Sequence, residues 1–196
     1  VIFVYLACIH RFLGSDAAFI FRQLRSRYPD IGFSECWMDP IMRKSGLTAE
    51  MRTRWQLYSF LKPQIHDKKS VNIIGNNLPT KADSELVRLI LDNGFTLHDI
   101  TLCRTYEEYL AMGQSAVNIS YNPQMAYGAV RLEQDLGQKS IYVPLSFDST
   151  EIVQGLYKLA DCLGIKRPDY SAAIQQNEES LLKAKKIIAD TSIAID

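Results

Sequence analysis

The chain of 196 residues is 47% hydrophobic and 22% charged, a globular composition sufficient for one large domain or two small ones. Its 22 Lys+Arg balance its 22 Asp+Glu, so charge argues for neither a nucleic-acid nor an anionic-membrane partner. No apolar run reaches the roughly 18 residues of a membrane span. The apolar opening, residues 1–7, lacks the basic flank of a signal peptide. The expectation is a soluble, cytoplasmic protein. Cys8, Cys36, Cys103 and Cys162 are far apart with no CxxC, which reads as reduced thiols rather than a disulfide framework.

Residues 1–7 form a continuous apolar run, the mark of a strand covered on both faces. Ser15 or Asp16 can cap a helix with an apolar stripe of Ala17, Ile20, Phe21, Leu24 and Tyr28, ended by Pro29. A second strand is expected over 31–37, then a helix over 48–61 with Met51, Trp55 and Tyr58 on one stripe, stopped by Lys62-Pro63. The polar stretch 66–70 reads as a bridge between two series of units.

The second series begins with a strand at 71–74. Asp83 caps a helix carrying Leu86, Val87, Ile90 and Leu91, closed by Asn93-Gly94. A strand over 95–102 precedes Thr105 and Glu108, a capping box. A strand over 116–120 leads to Asn122-Pro123, an N-cap with proline at the first helical position, and Gly137 ends that helix. A strand over 140–145 is followed by a helix capped by Asp148, with Ile152, Val153, Leu156, Leu159 and Leu163 inward and Gly164 at its end. A last helix is expected over 177–189 and a last strand over 191–195. A chain that opens on a strand without Met and closes on another reads as the middle piece of a longer protein. Regular alternation of strand and helix predicts an α/β fold with parallel sheets built of right-handed crossovers.

Ligands of open parallel sheets bind beyond the carboxyl ends of the strands. That rule selects the loops at 8–16, 36–46, 75–82, 103, 120–122 and 146–149. If the strands before Cys8 and Cys36 are neighbours, about 5 Å apart, the two sulfurs share one rim, where thiolates suit a soft metal or an iron–sulfur cluster. The competing reading of each cysteine is a small buried hydrophobe. Cys162 reads as core. His10 can ligate, donate a proton, or simply occupy an exposed loop; His66 and His98 read as surface residues. The phosphate-cradling patterns GxGxxG and GxxxxGK[ST] are absent from the sequence. The stretch from Gly75 to Pro79 reads as a plain turn or a ligand-facing one.

The stretch from Ala7 through Cys8, Gly14 and Asp16 resembles the segment of nitrogenase component 1 proteins that carries a cluster cysteine. Cys36, in Ser-Glu-Cys-Trp, matches the next strand end, where the molybdenum–iron protein also has a cysteine. The order of elements from Val71 through Gly75, Asn118, Tyr121, Tyr127-Gly128 and Pro144 to Gly164 is similar to that family's second Rossmann-like domain. The resemblance implies Rossmann-like parallel sheets, one complete domain plus parts of adjoining ones. Residues 1–66 would be the remainder of a first domain carrying the Cys8 loop, 67–165 the second domain, and 166–196 a linker, helix and start of a third.

The resemblance further implies an oxidoreductase that accepts electrons from an ATP-dependent iron–sulfur reductase through an iron–sulfur cluster, 4Fe-4S or larger, at the boundary with a related or identical subunit. Cys8 matches a cluster and metal ligand, Cys36 is a second candidate, and Gly14 and Asp16 shape the loop. The family's other cluster cysteines lie before the start of this chain, so the fragment alone is expected to bind no cluster. By the resemblance the cysteine anchoring the iron–molybdenum cofactor would fall near Tyr121, and no cysteine is there. That points away from dinitrogen and toward a small molecule or tetrapyrrole as substrate. The alternatives are a cofactor-assembly scaffold and a non-enzymatic two-lobed binder of a metal chelate.

Overall fold

The computed structural model describes residues 1–38 and 46–189; the strand expected over 191–195 and most of the loop after Cys36 lie outside these residues. By its internal contacts the chain divides into two compact units, Val1–Pro144 and Leu145–Asp196. The strands form two separate parallel sheets, both in the first unit. The three-part division expected from sequence differs from this: the sheets change near residue 66, but the units divide after Pro144.

The first sheet pairs β1 (Ile2–Ala7) with β2 (Phe33–Met38), in a register that sets Ile2 opposite Phe33 and Ala7 opposite Met38. Between them run α1 (Cys8–Phe12) and α2 (Ala17–Arg27). Alternation puts Val4, Leu6, Phe33 and Trp37 on one face, where they pack with Phe21 and Leu24 of α2. Only Phe21 of the expected α2 stripe is fully buried, and Ile20 is exposed. β1 is correspondingly wetter than its apolar sequence predicts, because a two-stranded sheet leaves both strands as edges.

α3 (Ala49–Gln56) starts at Thr48, whose hydroxyl accepts from the Met51 N–H at 3.1 Å. It is shorter than the helix expected over 48–61; irregular turns carry the chain on to Phe60.

The second sheet has the order β4-β3-β5-β6. β3 spans Asp67–Ile73, β4 Thr96–Asp99, β5 Ser115–Ser120 and β6 Lys139–Tyr142. The polar stretch expected to be a bridge is therefore the first half of β3. Its charged residues, Asp67, Lys68 and Lys69, are exposed, and burial begins at Ser70. The central β3 has a neighbour on each side, which explains its run of buried residues from 70 to 76. Three helices connect these strands. α4 (Glu85–Leu91) is capped by the Ser84 hydroxyl rather than by Asp83. α5 (Tyr106–Ala111) opens on the Thr105/Glu108 capping box. α6 (Ala126–Leu136) follows a short turn begun by Asn122-Pro123 and ends at Gly137, whose φ of +73° allows the left-handed cap.

Asn72, Asn118, Ser115, Ser70 and Gln138 are buried across β3, β5 and the residue before β6. The Asn72 amide donates to Asn118 Oδ1 at 2.8 Å and to the Met112 carbonyl at 2.9 Å. The Ser115 hydroxyl donates to Asn72 Oδ1 at 2.8 Å. The Asn118 amide donates to Gln138 Oε1 at 3.1 Å, and the Gln138 amide donates to the Met112 carbonyl at 2.8 Å. These buried groups satisfy one another, which fixes strand register as apolar packing alone does not.

In the second unit, α7 (Ser149–Leu163) is capped by Asp148 and closed by Gly164, and α8 spans Ser171–Ile188. α8 begins six residues before the helix expected from sequence, and none of its residues is buried. Cys162, read as core, is half-buried. Among the described residues no helix is long and apolar enough to cross a membrane.

Candidate functional site

Cys8 follows directly on the last residue of β1, at the carboxyl end of a parallel strand. It was expected in a loop; it is instead the first residue of α1. Nothing in residues 8–12 opposes a helical turn, and His10 supports one: its Nδ1 accepts from the Ala7 N–H at 3.0 Å. That bond occupies His10 in its own turn. Gly14, at φ +64°, reverses the chain, with the Ser15 N–H donating to the His10 carbonyl at 2.8 Å. Asp16 Oδ1 then accepts from the Phe19 N–H at 2.9 Å and starts α2. Cys8 is half-buried, and Ile9, Phe12 and Leu13 of the same turn are exposed.

Cys36 does not join it. The register pairs Cys36 with Tyr5, three residues before Cys8, a separation of about 10 Å along the strand. It shares a face with Ser34, whose hydroxyl bonds that of Ser59, and with Met38, whose sulfur accepts from the Thr53 hydroxyl at 3.1 Å. That face lies under α3, opposite the one that packs on α2. Cys36 is fully buried, and burial pushes its thiol above the ordinary range. It behaves as a small protonated hydrophobe, which corrects the expectation of two sulfurs on one rim.

Cys103 lies four residues beyond the end of β4, its Sγ donating to the Asp99 carbonyl at 3.4 Å. The four cysteines form no disulfide. Among the described residues no three of His, Cys, Asp and Glu gather as metal ligands. A cubane takes about four thiolates, so these residues do not build such a site alone; the single thiol set at a strand end is Cys8.

A second strand-end constellation joins the loops at 75–82 and 120–122, which the strand-end rule selected, to Arg54 and Tyr58, whose part in it the sequence reading missed. Gly75 follows β3 at φ +79° and joins three elements. Its N–H donates to the Tyr58 hydroxyl at 2.9 Å. Its carbonyl accepts from the Asn122 amide at 3.0 Å and from the Arg54 guanidinium. Arg54 is 8% exposed; it also donates to Asn77 Oδ1 at 3.0 Å and pairs with Glu50 at 2.7 Å. Tyr58 is buried, which pushes its hydroxyl pKa far up and keeps it neutral. The Asn76 amide donates to the buried Asp99 carboxylate at 2.7 Å. Tyr121 and Thr80 join the loops after β5 and β3 through their hydroxyls, 3.1 Å apart. One signal was present in the sequence: Arg54 lies three residues after Met51 and four before Tyr58, on the inward stripe, with Glu50 four residues earlier. His66 and His98, read as surface residues, are half-buried. His66 bonds the Leu136 carbonyl at 2.9 Å, and burial lowers the pKa of His98.

Two solved structures, of nitrogenase Cp1 at pH 5 and at pH 6.5, each superpose with a TM-score of 0.64 at 18% identity. Each covers 96% of this chain, while this chain spans only 38% and 36% of theirs. At that identity the likeness is one of fold: parallel sheets flanked by helices. No curated protein matches the sequence. The sequence pattern of the family described as nitrogenase component 1 type oxidoreductase matches residues 1–195. The chain belongs to the nitrogenase component 1 type oxidoreductase family.

Proposed function

We propose that this chain is part of a nitrogenase-like subunit that takes electrons from an ATP-dependent iron–sulfur reductase and reduces a small molecule or a tetrapyrrole, in the cytoplasm. The observation that carries this reading is Cys8, a half-buried thiol placed at the carboxyl end of β1 and held there by the turn at Gly14 and the cap at Asp16. Bound iron–sulfur would supply one-electron transfer, with Cys8 as one thiolate of a cluster whose remaining ligands come from outside these residues, including a related or identical subunit. This chain's own contribution is positional: β1 and α1 fix where the sulfur stands, and the exposed Ile9, Phe12 and Leu13 around it are suited to burial against a neighbour. No cysteine stands near Tyr121, where the resemblance places the cofactor anchor, which favours a substrate other than dinitrogen.

Iron per chain in the anaerobically purified full-length protein tests this. Cys8→Ala is expected to lose cluster iron, while Cys36→Ala and Cys162→Ala keep it. Equal iron in Cys8→Ala and the parent removes the chemical support for a redox role. Iron without reductase-driven turnover would instead favour a cofactor-assembly scaffold or a binder of a metal chelate.

A further inference from the structure

We propose that Arg11 and Trp37 form a clamp that positions the Cys8 sulfur. Arg11 is a positioning residue: it acts on the site through the turn that carries Cys8. The proposal deepens the redox reading and rests on it for its purpose, while the clamp itself is testable without a cluster.

The α1 turn has little else to seat it. Its five residues make less than one and a half turns, far short of the roughly 12–15 residues at which a helix is marginal on its own. None of the five is buried, and the N-cap is Ala7, which has no side-chain oxygen to offer. Ile9, Phe12 and Leu13 are exposed, so apolar burial within these residues does not hold the turn down. Its hydrogen bonds are local. His10 bonds Ala7, the Leu13 N–H donates to the Ile9 carbonyl and the Gly14 N–H to the Arg11 carbonyl, both at 3.0 Å. Bonds of that kind fix the shape of the turn; they do not fix where it lies against the sheet. A metal-ligating sulfur has to be held to within about 0.5 Å of its working position.

Arg11 reaches outside the turn. Its guanidinium carbon lies 4.2 Å from the centroid of the Trp37 ring, inside the roughly 6 Å range of a cation–π contact. Trp37 is a fixed point. It belongs to β2, stands opposite Leu6 in the register, and packs half-buried against the cluster of Leu6, Phe21 and Phe33. The clamp therefore runs from the core of the first sheet, across an indole face, to the residue three positions after Cys8 on the same helix. Residues three apart are neighbours on a helix surface, so what holds Arg11 also holds the side of the turn that bears the sulfur. A planar guanidinium can lie flat on the ring, which an ammonium does less well.

Amide hydrogen exchange at Leu13, Gly14 and Ser15, whose N–H groups close the turn, reads how often it opens in the 196-residue chain. An exposed cation–π pair shifts such an equilibrium about two- to fivefold. Arg11→Met and Trp37→Leu should each speed exchange there by about that factor, with Arg11→Lys and Trp37→Phe restoring part of the protection. The double variant Arg11→Met/Trp37→Leu should open less than the product of the two single effects; the cycle isolates this pair from any other contact Arg11 makes. Unchanged exchange in β3 shows that the fold is intact, and exposed Arg11 carries the test should Trp37→Leu fail to fold. In the anaerobically purified full-length protein, Arg11→Met should release cluster iron to a chelator faster by the same factor, and Arg11→Lys should partly reverse that, because Cys8 leaves the metal only when its turn opens. Exchange unmoved by Arg11→Met, or multiplicative effects in the cycle, overturns the clamp. Faster exchange with parent-like iron release overturns the positioning role and leaves the redox reading standing. Full iron in Cys8→Ala overturns the redox reading, and with it the purpose of the clamp.

Discussion

Gly75→Ala probes a tight glycine contact with a buried side chain. Two costs add there. Gly75 has φ +79°, a conformation that costs an L-residue about 1–2 kcal/mol. A Cβ at that position would meet Met125 Cβ at 2.5 Å and Cγ at 2.7 Å, closer than side chains approach without movement. Met125 is fully buried within the cluster of Tyr58, Ile74, Tyr109 and Leu132, so it cannot swing aside into solvent. Overpacking of this kind costs about 1–3 kcal/mol, which brings the total to about 2–5 kcal/mol. Gly94 is the reference: its φ is +72°, but no atom lies within 4 Å of its would-be Cβ. Gly94→Ala therefore carries the strain alone, about 1–2 kcal/mol. Both glycines are in the first compact unit, so urea titrations followed by the same probe compare them directly. The expected order is parent, Gly94→Ala, Gly75→Ala, with Met125→Ala recovering part of the loss in the Gly75→Ala background. Equal midpoints for the two alanine variants would refute the packing contribution; a parent-like Gly75→Ala would refute both.

Replacing Arg54 by Met keeps the buried stem but removes the charged bonds to Gly75 and Asn77; a loss of about 1.5–3 kcal/mol is expected in the same titration, with Glu50 tolerating it because that carboxylate is half in water. Asn72→Leu strands buried partners on Asn118 and Ser115 and should cost about 2–6 kcal/mol, whereas adding Asn118→Leu should cost less than the sum of the single changes; additivity would argue against a coupled network. Glu108 is held below its ordinary pKa by backbone N–H groups, so its stabilising contribution is present above the unfolded value of about 4.3 and is lost as pH falls through the lower folded value. Glu108→Gln should therefore flatten the acid limb of the first unit's stability profile, and an unchanged limb would refute that assignment. Purified anaerobically by itself, the 196-residue chain should hold no stoichiometric iron, since Cys8 is a single thiolate; iron near one cluster per chain would show the site to be complete.

What the sequence by itself determined was local. Helix caps at Thr105, Asn122 and Asp148 and the left-handed ends at Gly137 and Gly164 were legible because each depends on a residue and its own neighbouring backbone. The alternation of strand and helix carried the parallel α/β class for the same reason, since crossover handedness follows from local twist. The order of elements around Cys8 and Val71 also pointed to the family.

Where a residue faces depended on the tertiary structure. The polar start of β3 looked like a bridge because pairing with β4 and β5, not its own composition, makes it a strand. Cys8 and Cys36 each stood near the end of an apolar run. Register put one at the exposed turn after β1 and the other beneath α3, because each step along a strand reverses the face a side chain presents. Arg54 falls on the inward stripe of its helix, but only the packing of α3 on the loop after β3 supplies the Gly75 carbonyl and Asn77, which satisfy a charge that burial alone would forbid. Such long-range pairings set which groups are dry and which can meet a ligand, and no spacing within one segment encodes them.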